Sequence, residues 1–194
     1  MSVYFLRHVK TVNNHLGFIS GRMDSPILSV DTIDMPQGIN SFNKVFVSTA
    51  KRCLDTLNLM SQYLYDSEII STELLLERSL GIMEGMLRDE AIKKYPTFFI
   101  GNKLDINAEL PNGESIIDVK KRLEPLVNLI TPFKDSPQNC LVCSHNQVLK
   151  ILYSLIHDIP ITNDFWKIHN YRQRTAGMDI GLCTEQMEQH RLRL

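Results

Sequence analysis

The 194-residue sequence predicts an α/β fold, a three-layer α/β/α sandwich around a mostly parallel central sheet. Three observations point there. Short β-branched and aromatic runs alternate with segments of helical apolar period, which is the pattern of strand–helix–strand units. One of those runs, CLVCS (140–144), reads as a fully buried strand. Several of them end abruptly in charged or imidazole side chains, as strands do where a site lies beyond their carboxyl ends.

Taken in order, SVYFL (2–6) reads as the first strand and KVFVS (44–48) as the second. RCLDTLNLMSQYL (52–64) carries Leu54, Leu57, Leu59, Met60 and Leu64 at helical spacing. EIIST (68–72) reads as the third strand. ESIIDVKKRLEPLVNLI (114–130) reads as a helix, with Ser115 and Asp118 at capping-box spacing. Its apolar period runs past Pro125, which predicts a kink there and no break. After strand 140–144, QVLKILYSLI (147–156) is a strongly apolar helix. TAGMDIGL (175–182) and HRLRL (190–194) read as a closing pair of strands. The length suits a single domain over 1–194. Residues 85–113, the least regular stretch, are a candidate cap over the site.

Composition excludes several classes. Hydrophobic residues make up 43% and charged residues 22%, ordinary for a globular chain. A net charge of −1 offers no global field for nucleic acid or an anionic membrane, so any anion site must be local. Arg7, His8 and Lys10 interrupt the first apolar run, so no signal peptide is expected. No apolar run is long enough to span a bilayer. The four cysteines do not form a disulfide framework. Cys140 and Cys143, three apart on a strand, face opposite sides and do not suit one metal. They read as buried thiols in a reducing cytosol.

The polar residues at the strand ends carry the chemistry. The first strand runs into Arg7-His8. The second ends at Ser48, with Arg52 in the first turn of the next helix. The buried strand ends in Ser144-His145. LLERSLGIMEG (75–85) adds Glu77 and Glu84 on a segment whose glycines preclude one long helix. The topology brings these tips to one crevice. Two arginines and two histidines there suit a dianionic phosphate, because the guanidinium fork matches phosphate oxygens. A histidine can attack phosphorus, and a carboxylic acid can protonate the leaving oxygen. Singly, each has a plainer explanation: a core histidine at 145, a solvated Glu77-Arg78 pair, a solvated helix face at Lys120-Lys121-Arg122.

Together the motifs resemble the histidine phosphatase superfamily, in its phosphoglycerate-mutase-like form, over residues 3 to about 156. LRHVKTVNN resembles the signature L-R-H-G-E-T-x-x-N, and Asn14 matches its closing asparagine. GRMDSPILS, STAKRCLDT, LLERSLGIMEG, PNGES and LVCSHNQVL resemble the blocks that follow it, in order. The resemblance implies a phosphoglycerate-mutase-like fold. It implies that His8 becomes phosphorylated, that Arg7, Arg52, His145 and Asn14 bind the phosphoryl group, and that Glu77 is the general acid and later base. Glu84 is the lesser candidate for that acid. It implies no metal and no cofactor.

The sequence departs from the pattern at Val9-Lys10 in place of Gly-Glu, at Asp31 or Thr32, at Pro36 and Gly38, and at Asn146-Gln147 in place of Gly-Gly. Valine resists positive φ, so residue 9 is expected at negative φ, with its methyls beside the phosphate pocket and Lys10 adding charge there. The expected function is a cytoplasmic phosphatase acting on a small phosphate ester, with neither nucleic acid nor membrane as partner. Phosphoglycerate-mutase-type transfer and a silent phosphate-binding module are the alternatives. Glu77-Arg78 resembles a mutase pair, but 85–113 holds no paired arginines to seat a second phosphate.

Overall fold

The computed structural model of the protein describes residues 2–29, 33, 35, 38–163, 174–175 and 178–183. Strands β1 (Ser2–Arg7), β2 (Lys44–Ser48), β3 (Glu68–Thr72), β6 (Asn139–Ser144), β7 (Arg174–Thr175) and β8 (Met178–Cys183) form one sheet in the order β3-β2-β6-β1-β8-β7. The pairs β3/β2, β2/β6 and β6/β1 are parallel, and β8 joins β1 antiparallel. The sheet is therefore mostly parallel, as expected.

Alternation along each strand sends side chains to two separate cores, because successive residues point to opposite faces. Phe5, Val142 and Phe46 lie in one cross-strand row and pack with Val119, Leu123, Leu126, Val148, Ile151 and Leu152. These last belong to helices α4 (Ile116–Ile130) and α5 (Asn146–Ile156). Leu6, Val45, Val47, Leu141 and Cys143 face the other way, against Cys53 and Leu57 of α2 (Lys51–Asn58) and the loop residues Ile33, Ile39 and Phe42. Each fully buried Leu, Ile, Val or Phe contributes roughly 1.5–3 kcal/mol, so the two cores together outweigh local propensity. Cys140 and Cys143 fall in different cores, as their spacing predicted.

Several boundaries differ from expectation. The helix expected over 52–64 ends at Asn58, and Met60 drops fully into the core before a 3₁₀ turn at Ser61–Tyr63. The strand expected over 175–182 is two strands, with Thr175 paired back onto Met178. The strand expected at 190–194, and the departures at Asp31, Thr32 and Pro36, lie outside the described residues. Helix α4 runs unbroken past Pro125, and Ser115 caps it reciprocally with Asp118. Between β3 and α4 the chain forms α1's neighbours at the cavity mouth: α1 (Val12–Leu16) precedes loop 17–23, which bridges to Leu87 through Phe18. Residues 85–113 hold helix α3 (Arg88–Lys94), ended by Pro96, and a small hairpin of β4 (Phe99–Ile100) and β5 (Lys103–Leu104). A satellite core of Ile19, Leu80, Met83, Ala91, Ala108 and Leu110 attaches this segment to the body. No described helix is long and apolar enough to cross a membrane.

Candidate active site

The parallel register brings three strand ends level. Arg7 pairs with Ser144, and Ser48 follows the paired Val47 and Cys143 by one residue. His8 and His145 are the next residues along β1 and β6, so their rings meet edge to face, 5.1 Å between centroids. The His8 backbone N–H donates to the Ser144 carbonyl at 3.0 Å, which continues the ladder one residue beyond the strand.

His8 is 7% exposed, and its Nδ1–H donates to the Val9 carbonyl at 2.8 Å. That bond assigns the proton to Nδ1 and leaves Nε2 with its lone pair. Burial, then the neighbouring Arg52 guanidinium, push its pKa down to about 3. The ring is thus a neutral base at ordinary pH.

Arg52 is 3% exposed and held by three bonds. Its Nε donates to His145 Nδ1 at 3.2 Å, Nη1 to the Met23 carbonyl at 2.8 Å, and Nη2 to the Gly21 carbonyl at 2.8 Å. A guanidinium has five N–H donors, so two remain. Gly21 sits at φ +49°, and a Cβ there would fall 2.2 Å from Glu84 Oε1, so the loop that receives Arg52 requires glycine.

His145 is fully buried. Because Nδ1 accepts from Arg52, Nε2 carries the proton and faces Ser48 Oγ at 3.0 Å. Burial and then Arg52 hold it well below the usual imidazole range. Both nitrogens are engaged by protein groups. Arg52 stands beside the ring and occupies the nitrogen nearest to it.

A cavity of about 460 Å³ opens at this end of the sheet and is lined by Arg7, His8, Asn14, Arg52 and Glu77 among others. Five of the six site residues expected from the sequence therefore share one wall, and His145 stands behind it. Asn14 accepts from the Thr11 N–H at 3.2 Å as half of a capping box on α1. Glu77 is half-buried. Its Oε1 accepts from the Arg78 N–H at 2.9 Å, but burial outweighs that bond and pushes the carboxyl up. Glu84 is turned away: its Oε1 accepts from the Leu80 N–H at 2.7 Å and the Ser79 hydroxyl at 3.2 Å, which ties down the turn after Glu77.

Two plainer sequence explanations are corrected. Arg78 is not half of a solvated pair. It is fully buried, donating to the Glu114 and Ala108 carbonyls at 2.7 Å each. Arg122 is not on a solvated face. It donates to the Leu74 and Leu76 carbonyls and to Glu114.

Val9 adopts negative φ, since the described non-glycine residues at positive φ are Asn112 and Asp158. Its side chain, however, is 2% exposed and packs in the α2-side core with Leu6 and Val47. Its N–H donates to Thr56 Oγ1 at 3.0 Å. Neither Val9 nor Lys10 lines the cavity. The expectation that they narrow the pocket is overturned, because alternation sends residue 9 into the sheet's own core.

Residues that motif reading did not assign also line the cavity: loop 17–21, Arg88, Phe99, Lys103 and Lys150. Lys150, 3% exposed, was signalled by its isolation in an otherwise apolar helix face. The loop was signalled by the paired glycines of GFISG. Ser20 Oγ and Gln147 Oε1 are buried without a partner among the described residues, although both residues reach the cavity. Among the described residues no cluster of three His, Cys, Asp or Glu could hold a metal ion.

Residues 3–186 match the family model described as the histidine phosphatase superfamily (branch 1). A 6-phosphofructo-2-kinase/fructose-2,6-bisphosphatase of Arabidopsis thaliana is 28% identical over 165 residues, 82% of this chain and 22% of that protein. The chain thus spans about a quarter of the length of such relatives. A metal-independent phosphoserine phosphatase of Arabidopsis thaliana is 25% identical over 161 residues, 78% of this chain and 66% of that protein. In fold, Bacillus stearothermophilus YhfR matches with a TM-score of 0.70 at 22% identity, covering 95% of this chain and 96% of that one.

Proposed function

The chain belongs to the histidine phosphatase superfamily, and on that premise we propose that it is a metal-independent phosphatase that hydrolyses a small phosphorylated metabolite through a phosphohistidine intermediate. The observation that carries this reading is the pairing, in one cavity, of an imidazole whose pKa burial and Arg52 push down with a carboxyl whose pKa burial pushes up.

His8 Nε2 attacks phosphorus while the ester P–O bond breaks. Glu77 gives its proton to the departing oxygen, so the alcohol leaves neutral. The new P–N bond places positive charge on the ring, and the Nδ1–H bond to the Val9 carbonyl stabilises it. Arg7 and the two remaining N–H groups of Arg52 receive the charge spread over the equatorial oxygens. In the second half, Glu77, now a carboxylate, takes a proton from water as the water oxygen attacks phosphorus. Inorganic phosphate departs and His8 is neutral again. Asn14 assists at the phosphoryl oxygens. His145 is assigned to orienting Arg52 and backing His8.

Residues 1–194 act as one domain, with 85–113 as a cap that closes the outer side of the cavity. The setting is the cytoplasm, where the described cysteines Cys53, Cys140 and Cys143 remain free thiols. Val9 gives no support to a silent module, because its negative φ leaves the loop unstrained.

Para-nitrophenyl phosphate should be turned over in the presence of a chelator. Quenching during turnover should trap an acid-labile, base-stable phosphoprotein, and His8→Ala should abolish it. A label on His145 instead would overturn the assignment.

A further inference from the structure

We infer that the alcohol portion of the substrate carries a free, neutral hydroxyl, and that the side-chain amide of Gln147 recognises it. This deepens the phosphatase reading and rests on it. Gln147 is the second residue of α5, two positions past His145, and it lines the cavity. The residue is half-buried, and its Oε1 is buried with no hydrogen-bond partner among the described residues. Its amide nitrogen makes no hydrogen bond among the described residues either. Buried polar side chains are paired as a rule. An amide left unpaired at both ends, on the wall of a binding cavity, leaves its bonds for a ligand to make. The family pattern has glycine at this position, so the amide is a feature of this chain.

The chemistry of the amide fixes what the ligand must offer. Its oxygen only accepts and its nitrogen only donates. The terminal torsion of glutamine is broad and nearly two-fold, so either end can turn to the cavity. A phosphate or carboxylate oxygen pairs with the nitrogen alone and leaves Oε1 orphaned. An ammonium pairs with the oxygen alone. It would also meet a lining whose charged groups, apart from Glu77, are the cations Arg7, Arg52, Arg88, Lys103 and Lys150, and like charges repel. A hydroxyl both donates and accepts and carries no charge, so it answers either end. The dianionic phosphoryl group has no hydroxyl to give, which places this one on the part of the substrate that leaves. At about 460 Å³ the cavity is of a size to enclose that part together with the phosphoryl group. The ligand class that fits is a short polyol monophosphate.

The test compares kcat/KM for three esters on short carbon frames: propyl phosphate, glycerol 1-phosphate and phosphoethanolamine. Wild type should prefer glycerol 1-phosphate over propyl phosphate by about tenfold or more, because a site built to bond a hydroxyl rejects the analogue that lacks it. Salt should leave that preference unchanged, since the two esters carry the same charge. Phosphoethanolamine should do no better than propyl phosphate. Gln147→Leu removes both ends of the amide at similar size, and Gln147→Gly removes the side chain altogether. In each the preference should fall below about threefold, mainly through KM. No preference in wild type, an unchanged preference in both variants, or a preference for phosphoethanolamine over glycerol 1-phosphate overturns the inference. Calorimetric binding of the same three compounds to His8→Ala, with and without Gln147→Leu, reads the contact without turnover. If para-nitrophenyl phosphate is not hydrolysed by wild type, the phosphatase reading fails, while the binding preference and its loss still decide the role of Gln147.

Discussion

At the scale of the residue, the chemistry rests on two groups whose environments push them in opposite directions. His8 is neutral because burial and Arg52 resist a second proton, and the pKa of Glu77 is raised because burial resists its charge. The attacking form therefore exists above about pH 3 and the donating form exists below the raised pKa of Glu77. kcat/KM should plateau between these limits and decline as pH rises through the upper one. Glu77→Gln should remove that decline and cost about 10²–10⁴-fold on alkyl esters. The loss should be far smaller on para-nitrophenyl phosphate, whose leaving group needs no proton. An equal loss on both substrates would mean that Glu77 is not the acid. Val9 makes a different prediction. Its methyls fill the α2-side core and lie off the cavity, so Val9→Gly should lower stability by about 2–4 kcal/mol. Substrate preference should stay within about threefold of wild type. A changed preference at unchanged melting temperature would return Val9 to the pocket.

At the scale of the element, the segment that carries Glu77 is irregular and is held from outside. Arg122 donates to the carbonyls of Leu74 and Leu76, and Arg22 Nε to that of Glu77 at 3.1 Å. Glu114 joins these cations, at 2.9 Å to both Arg22 and Arg122, and its Oε2 accepts from the Ser79 N–H at 2.9 Å. The 3₁₀ turn at Gly81–Met83 packs so closely that a Cβ on Gly81 would fall 2.1 Å from the Pro111 carbonyl oxygen. Without these clamps a loop with few helical bonds would let the acid wander from the leaving oxygen. Glu114→Gln keeps the shape but weakens charge-assisted bonds, at about 1–3 kcal/mol of stability. As a positioning residue, Glu114 should show a kcat loss of roughly tenfold on alkyl esters and little on para-nitrophenyl phosphate. Equal losses on the two esters would assign it a general structural role. The sequence showed the PNGES block but not this function, because Leu74 and Arg122 lie 48 residues apart and meet only through folding.

At the scale of the whole molecule, the sheet's carboxyl edge buries two neutral histidines, and that sets a pH dependence of stability. Unfolded, His8 binds its proton near pH 6.5; folded, it does so only near 3. Between these values the unfolded chain holds more protons, so stability falls as pH falls. His145 is shifted in the same direction. Each histidine contributes at most about 1.4 kcal/mol per pH unit in that window. Glu77 acts oppositely, losing stability as pH rises from 4.5 through its raised value. Two histidines against one carboxyl predict that urea midpoints drop between pH 7 and 5, and that His8→Asn flattens the slope. A midpoint that rises on acidification would contradict the neutral assignment. By itself the sequence determined the four parallel strands, the helices over 114–130 and 147–156, the mostly parallel sheet and the residues at its tips. Those depend on alternation, apolar period and capping within a few neighbouring positions, as at Arg7-His8 and Ser115–Asp118. Only the tertiary structure decided which cations face the cavity, that Val9 turns into the core and that both nitrogens of His145 are taken. The Arg52–His145 bond joins residues 93 apart, and the direction of a side chain at that separation is set by how helices and loops pack over the sheet, which no local pattern encodes.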